Sequence, residues 1–342
     1  VGGAVGVPRT VEQAKAHPVT CYVFGAGKGD QRINFNTWTN VGSTQVNISG
    51  NARIYGSTFG GGEDGHVLGN VETNIGGTVK IDLNGDGDTS DESEAFTAQN
   101  GLIIGTTGTS GVDGNIFGGG RGFSETALTA GVVGGNVDVK IYNGTILGTV
   151  FGGGRLASVG TFFADATDTD KYGKMQGDLT DDTHGVIRIN ISGGTIGATA
   201  SDGKLATSDY TIGDVFGGSK GSTRNDLRFG LAKHTFITMT GGKVKGSVYG
   251  GGEVAVVEGN ATIAISGGEV GDGVTKKGGA KIGNVFGGGK GNTAAVDAGL
   301  IKGNTKVTVE NGTNTTPIIY HNVYGGGAYG SVGTITTGSV TY

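Results

Sequence analysis

One short phrase, an aromatic residue followed by a run of glycines and then a residue that is usually charged, occurs eight times in this chain. The aromatic residues of the copies are Phe24, Phe59, Phe117, Phe151, Phe216, Tyr249, Phe286 and Tyr324. Their spacings are 35, 58, 34, 65, 33, 37 and 38 residues. A period in the mid-thirties with two longer exceptions is typical of a repeat architecture that carries insertions.

The residues before each phrase repeat as well. Residues 139–154 (VKIYNGTILGTVFGGG) and 237–252 (ITMTGGKVKGSVYGGG) align without a gap. Apolar residues alternate over the first positions, which predicts a half-buried strand, and glycines then separate two further short strands. Three short strands and their turns, repeated at a fixed period, predict one coil of a β-solenoid.

We therefore predict an all-β fold, a right-handed parallel β-helix (β-solenoid) of about eight coils with loop insertions. A coil cannot bury its apolar face alone, so stacked coils should form parallel sheets in register. The apolar positions of the template should then form ladders inside the solenoid. One such ladder is predicted to contain Ile141, Ile191, Met239 and Ile265.

Composition excludes several classes of protein. The chain holds 75 glycines among 342 residues but only 3 prolines, and it lacks the three-residue glycine period of collagen. Its net charge of −5, with no basic face, argues against nucleic acid as a partner. A single cysteine excludes an internal disulfide framework. No apolar segment is long enough to suggest a membrane span.

The glycine runs raise the question of a phosphate-binding loop, because GNVFGGGKGN at 283–292 places a lysine after three glycines. The pattern G-x-x-x-x-G-K-[ST] fails here, since Lys290 is followed by Gly291 and the first glycine of the pattern would fall on Asn284. Repetition also argues against a nucleotide site. We predict that the glycines form the corners of the coils by reaching positive φ without steric cost.

Phrases such as NVFGGGK (284–290) and NVYGGGA (322–328) resemble the GNVYGGG-type repeats of large secreted surface proteins from gut Bacteroidetes-like bacteria. The resemblance covers about residues 20–330. More loosely, the chain resembles the right-handed parallel β-helix of pectate-lyase-like proteins. The first resemblance implies an extracellular or bacterial cell-surface location.

The two ends of the chain differ. Residues 1–20 are predicted to be an N-terminal segment with a short capping helix, in which Thr10 and Gln13 fit a capping box and Pro18 ends the helix. Residues 21–342 are predicted to be the solenoid domain. Its final residues, GTITTGSVTY at 333–342, contain no proline and no charge. We therefore expect self-association through the solenoid end, or continuation into further repeats.

The first predicted insertion, about residues 82–113, contains DLNGDGDTSDESE. Alternating oxygen-bearing side chains around a glycine are similar to a calcium loop, D-x-[DN]-x-[DN]-G. The predicted metal ligands are Asp82, Asn84, Asp86, Asp88 and Asp91, and the predicted cofactor is calcium. The loop departs from a full EF-hand because Ser93 occupies position twelve and no helices are predicted beside it. A solvated acidic loop is the alternative.

The second predicted insertion, about residues 156–185, ends in DLTDDTHGVIRI (178–189). Its aspartates, histidine and arginine superficially resemble the catalytic groups of pectin hydrolases. In those enzymes the groups come from separate coils, whereas here they are crowded into one. A solvated loop is the simpler interpretation, and we predict no catalytic residue.

Two columns of side chains leave alternatives open. The aromatic residues form either a structural stack or a sugar-binding stripe, because neighbouring residues of a strand face opposite sides. The charged residues after the glycines form either exposed ion pairs or, in the favoured interpretation, solvated corners; they are Lys28, Glu63, Arg121, Arg155, Lys220, Glu253 and Lys290. The predicted function is an extracellular structural or adhesive repeat protein (surface fibre, filament subunit or adhesin shaft) without catalysis. The alternative is a carbohydrate-binding protein or a polysaccharide-degrading enzyme, with a glycan as partner.

Overall fold

The structure is a computed structural model that describes residues 2–10, 13, 16, 21–30, 37–97, 101–106, 113–122, 127–198, 213–223, 229–271, 276–277 and 280–333. Within these residues nearly all regular structure is strand, and a single 3₁₀ turn spans Glu92–Glu94. The strands are, in chain order, β1 Ala4–Val5, β2 Val23–Phe24, β3 Asn40–Val41, β4 Thr44–Ile48, β5 Arg53–Ile54, β6 Thr58–Phe59, β7 His66–Val67, β8 Val71–Ile75, β9 Thr78–Lys80, β10 Ala95–Thr97, β11 Ile103–Ile104, β12 Ile116–Phe117, β13 Val137–Ile141, β14 Thr145–Ile146, β15 Val150–Phe151, β16 Val186–Ile191, β17 Thr195–Ile196, β18 Val215–Phe216, β19 His234–Val244, β20 Val248–Tyr249, β21 Ala261–Val270, β22 Lys276–Lys277, β23 Ala280–Lys281, β24 Val285–Phe286, β25 Thr305–Val309, β26 Ile318–Ile319 and β27 Val323–Tyr324.

The chain folds into a parallel β-solenoid, as the repeat predicted. One extended sheet contains the long strands β4, β8, β13, β16, β19, β21 and β25, together with the short strands β1, β5, β11, β14, β17 and β26. A second sheet, the aromatic sheet, contains β2, β6, β12, β15, β18, β20, β24 and β27 in that order. Neighbouring strands within both sheets are parallel. The described part of the chain contains no helix that is long and apolar enough to cross a membrane.

The apolar positions of the template line the interior in register. Ile141 pairs with Ile191, Ile191 with Met239, and Met239 with Ile265, so the predicted ladder is confirmed. All four side chains are at most 2% exposed and belong to one hydrophobic core that extends along the solenoid. The intervening residues face outward, which is why the burial of β13 alternates along its five residues.

The aromatic residues of the repeats form a continuous stack whose middle rings, from Phe59 to Tyr249, are buried. In the inner strands β12, β15, β18 and β20 the first residue, such as Val150, joins the central core, while the second, such as Phe151, joins a separate aromatic cluster. The rings of Phe117 and Phe151 are nearly parallel, with centroids 4.8 Å apart, and adjacent rings from Phe24 to Tyr324 repeat this spacing within 4.7–5.0 Å. The spacing equals the distance between strands. The stack is therefore structural in this part of the chain and is not an exposed sugar-binding stripe.

The glycines after each aromatic residue are needed for a different reason from the one predicted. None of the glycines in the triplets has a positive φ among the described residues. Instead, a Cβ added to Gly118 would overlap the carbonyl oxygen of Gly152 in the next coil, and Gly217 stands in the same relation to Gly250. The corners thus require glycine because consecutive coils approach each other closely.

The same contacts occupy the groups that a phosphate would need. The amide nitrogen of Gly118 donates to the carbonyl oxygen of Phe151 over 2.9 Å, and that of Gly119 donates to Gly153 over 3.1 Å. A phosphate-binding loop requires free amides that converge on the anion. Here the amides of Gly118 and Gly119 already bond to the neighbouring coil.

The insertions lie beside this frame. The first leaves the solenoid through an antiparallel hairpin of β9 and β10, and the chain rejoins the extended sheet at β11, which pairs with β5 and β14. The second packs on a smaller hydrophobic cluster, which combines its own Phe162 and Met175 with residues of other coils such as Phe229.

At the N-terminal end, Thr10 and Gln13 exchange the two hydrogen bonds of a capping box, over 2.9 and 3.2 Å. Most of the predicted helix that follows, and residues 334–342 at the other end, lie outside the described residues.

Candidate functional site

The predicted metal ligands lie at the tip of the hairpin formed by β9 and β10. The hairpin begins directly after Gly76 and Gly77, whose φ angles of +79° and +73° turn the chain away from β8. Asp82, Asn84, Asp86, Asp88 and Asp91 all lie between the two strands, so the structure brings the five predicted residues into one loop. All five side chains are exposed.

Side-chain oxygens of the loop bond to its own backbone. Asp82 accepts hydrogen bonds from the amides of Gly85 (2.6 Å) and Gly87 (3.0 Å). Asp86 accepts from the amide of Asp88 over 3.0 Å, and Asp88 in turn accepts from the amide of Ser90 over 2.7 Å. These bonds produce a series of Asx turns that curl the loop. They also hold the pKa of Asp86 and of Asp88 below the ordinary value, so both carboxylates are ionised at neutral pH.

Asn84 connects the two halves of the loop. Its Nδ2 donates to Asp86 Oδ2 over 2.9 Å and to Asp91 Oδ2 over 3.0 Å. The amide hydrogens thereby hold together two carboxylates that would otherwise repel each other. Within the described residues, no three His, Cys, Asp or Glu side chains converge closely enough to hold a metal ion. The oxygen donors fit the chemistry of calcium, but the side chains do not point at a common centre.

Glu94 is a carboxylate of this loop that sequence reasoning did not select. Its side chain is only 1% exposed, although it follows a run of exposed acidic residues. Oε1 accepts a hydrogen bond from the amide of Leu83 over 2.8 Å, whereas Oε2 is buried and has no hydrogen-bond partner among the described residues. A buried carboxylate oxygen without a partner is costly, and a nearby donor or cation would lower that cost. Nothing in the local sequence distinguishes Glu94 from Glu92.

The acidic end of the second insertion is held against the solenoid by two basic residues. Lys233 has a fully buried side chain, and its ammonium donates to the backbone oxygens of Asp178 (3.2 Å) and Asp181 (3.0 Å). The neighbouring His234 contacts the carbonyl oxygen of Leu179 through Nε2 at 2.6 Å and accepts at Nδ1 from the amide of Asn260. Sequence reasoning missed these anchors because they lie about fifty residues from the segment they hold.

Two aspartates of the same segment form local turns. The carboxylates of Asp178 and Asp181 accept hydrogen bonds from Thr180 and Thr183, and these bonds lower the pKa of both groups. Glycoside hydrolysis uses one carboxylic acid whose pKa is raised so that it can donate a proton. These two aspartates differ from such an acid, and their carboxylates bond to the turns in which they lie.

The charged residues after the glycines are paired rather than fully solvated. Glu63 pairs with Arg121 over 2.9 Å, and Glu253 lies between Lys220 (3.2 Å) and Lys290 (3.3 Å) of the adjacent coils. Burial alone would raise the pKa of Glu253, but the two ammonium groups outweigh it and lower the pKa. The favoured prediction of solvated corners is thus wrong for these five residues. Their partners lie on adjacent coils, and the lysine ammonium groups also approach the aromatic stack.

Comparison with known proteins gives no relative for this chain. No family model, curated protein or solved structure matches it.

Proposed function

We propose that the chain is an extracellular structural or adhesive repeat protein, such as the shaft of a surface fibre, a filament subunit or part of an adhesin. The observation that supports this proposal is the unbroken aromatic stack, in which eight rings follow one another at 4.7–5.0 Å. Beside it, the apolar core runs along the same axis. A shaft needs length and stiffness, and coils joined by backbone ladders and side-chain stacks supply both.

A bacterial cell-surface location is part of the same proposal. It is supported by the resemblance of the NVFGGGK and NVYGGGA phrases to secreted surface repeats. The single cysteine, Cys21, has a free thiol and no partner for an internal disulfide. The fold therefore depends on stacking of coils rather than on oxidation.

Self-association is proposed to occur through the last described coil. Two of its apolar side chains are well exposed, namely Val323 (48%) and Tyr324 (42%). In earlier coils the equivalent residues, such as Val150 and Phe151, are at most 2% exposed because a further coil covers them. Strand edges and apolar surface together favour the addition of another coil, supplied by further repeats or by a second molecule.

Sedimentation of the purified chain tests this association. We expect the wild-type protein to form larger species as concentration rises, and to form end-to-end filaments in negative-stain images. Val323→Lys should abolish association without lowering the melting temperature, because its side chain already faces solvent. Val296→Lys is the control, since that residue is 82% exposed but belongs to no strand. A wild-type protein that stays monomeric at high concentration would contradict association through this end.

We further propose that the loop between β9 and β10 binds calcium. The ligands would come from Asp82, Asn84, Asp86, Asp88 and Asp91, and the unpartnered Oε2 of Glu94 supports the proposal. Calcium prefers six to eight oxygen ligands, and this loop offers carboxylates, an amide oxygen and backbone carbonyls. Binding requires Asn84 to release the two carboxylates that its amide now holds.

Calorimetry with calcium and with a chelator tests the calcium site. Binding to the folded state should add about 2.7 kcal/mol at a calcium concentration 100 times the Kd, and the melting temperature should rise accordingly. Asp86→Ala should remove most of this gain. Asp165→Ala is the matched control, because Asp165 also makes an exposed Asx turn, with Thr167, but lies in the other insertion. Equal melting temperatures in calcium and in chelator would refute the proposal.

A further inference from the structure

A polar groove runs between the first hairpin and the outer surface of the long strands. Its volume is about 510 Å³, within the range of about 300–1,000 Å³ that is usual for small-molecule sites. The floor consists of outward side chains of β4 and β8, one wall is β9, and the other wall is Tyr142. The lining residues that the argument uses are Gln45, Asn47, Glu72, Lys80 and Tyr142.

Glu72 organises the floor of the groove. Its Oε1 accepts hydrogen bonds from Gln45 (3.0 Å) and Asn74 (2.7 Å), and its Oε2 accepts from the ammonium of Lys140 at 2.8 Å. Lys140 and the two amides lower the pKa of Glu72 to about 2, so the carboxylate stays ionised. Its charge is compensated by Lys140. The floor is thus rigid and carries little net charge.

The amides bound to this network keep free hydrogen-bonding capacity. Gln45 uses its Nε2 on Glu72, which leaves its Oε1 as an acceptor. Asn47 accepts from Asn74 at its Oδ1 over 2.8 Å, which leaves its Nδ2 as a donor of two hydrogens. Both side chains are exposed. A ligand that donates and accepts at neighbouring positions, as a sugar with vicinal hydroxyls does, matches this arrangement.

Tyr142 supplies an aromatic surface at the edge of the floor. Its side chain is 46% exposed, yet its ring is held against Gly77, where an added Cβ would come within 3.0 Å of Cδ2. Gly77 has a φ of +73°, so a side chain is excluded there both by conformation and by the ring. Tyrosine combines an apolar ring face with a polar hydroxyl, and the ring face can stack on the apolar C–H face of a pyranose.

We propose that this groove binds a neutral oligosaccharide, with one pyranose ring stacked on Tyr142 and its hydroxyls bonded to Gln45 and Asn47. An ionic ligand suits the site less well, because Glu72 and Lys140 already neutralise each other and Lys80 is the one further charge among the described lining residues. The proposal does not depend on the shaft, the calcium site or end-to-end association. It would give a shaft of this kind a lateral point of attachment to glycans.

An array of immobilised neutral and acidic glycans, followed by calorimetry with the glycans that bind, tests the proposal. We expect at least one neutral oligosaccharide to bind, and Tyr142→Ala to raise its Kd at least tenfold. Tyr329→Ala is the aromatic control, because Tyr329 is 69% exposed near the other end of the solenoid. Asn47→Ala should also weaken binding, whereas Asn190→Ala, an exposed asparagine of β16 on the same sheet face, should not.

Melting curves that match the wild type show that the Tyr142 and Asn47 variants are folded. Failure of every neutral glycan to bind would overturn the proposal, and so would unchanged affinity in the Tyr142 variant. Salt-sensitive binding of acidic glycans only would overturn the neutral class of ligand.

Discussion

Replacement of Ile265 by aspartate is expected to abolish folding, whereas aspartate at the adjacent Ala264 should be tolerated. Ile265 is 1% exposed and stacks on Met239 of the preceding coil and Val309 of the following one. A carboxylate in this ladder would be surrounded by apolar groups and would cost several kcal/mol. Proteins of ordinary size are stable by only about 5–15 kcal/mol, and a defect in one coil also removes the surface on which the next coil stacks.

Circular dichroism and thermal melting of the two variants measure this difference. Ala264 lies on the outer face of β21, between Thr238 and Thr308, so an aspartate there keeps its contact with water. Ile265→Asp should yield insoluble or unfolded protein, and Ala264→Asp should melt near the wild-type temperature. If both variants were equally stable, the assignment of Ile265 to the core and of Ala264 to the outer face would be wrong.

The repeat was sufficient to predict the coil. Alternation at the start of the copies at 139–154 and 237–252 identified the long strands, and alignment of the copies placed Ile141, Ile191, Met239 and Ile265 in one ladder, as found. This works because a solenoid converts sequence period directly into spatial adjacency. Residues at equivalent template positions become neighbours at about 4.8 Å.

Alignment of the repeats did not predict two kinds of contact between adjacent coils. The phrase left ion pairs between repeats as an alternative, but the favoured prediction was solvated corners, and the half-buried pairing of Glu253 with Lys220 and Lys290 was missed. The phrase also implied positive φ at the glycine triplets, although the requirement there is steric. In both cases the deciding contact joins residues more than thirty positions apart.

The candidate sites were predictable only in part. The acidic pattern of residues 82–91 gave the loop, but not the buried Glu94 beneath it, because burial follows from how β9 and β10 fold. The groove beside Tyr142 depends on the same hairpin standing next to β4 and β8. The sequence does single out Tyr142, since the equivalent template position holds Ser192, Thr240, Ser266 and Glu310 in other copies.

Replacement of Gly118 by alanine is expected to destabilise the solenoid strongly. The added Cβ would overlap the carbonyl oxygen of Gly152 and crowd the side chains of Val137 and Val139. Backbone lies on the other side of this contact, so the strain cannot be relieved by rotation of a side chain. The coils would have to separate, which weakens the hydrogen bond from the amide of Gly118 to Phe151. Overpacking of this kind costs about 1–3 kcal/mol, and a rigid neighbour places it at the upper end.

Gly325 provides the matched control, because it is the equivalent glycine of the last described corner and an added Cβ there meets nothing within 4 Å. Its φ is not positive, so alanine fits the backbone and should change stability by no more than about 0.5 kcal/mol. Urea denaturation of Gly118→Ala and Gly325→Ala distinguishes the two explanations of the glycine triplet. If glycine were required for its backbone conformation, both variants would lose stability equally. If it is required for the approach of the next coil, only Gly118→Ala should unfold at a lower urea concentration, since only Gly118 has another coil stacked against it.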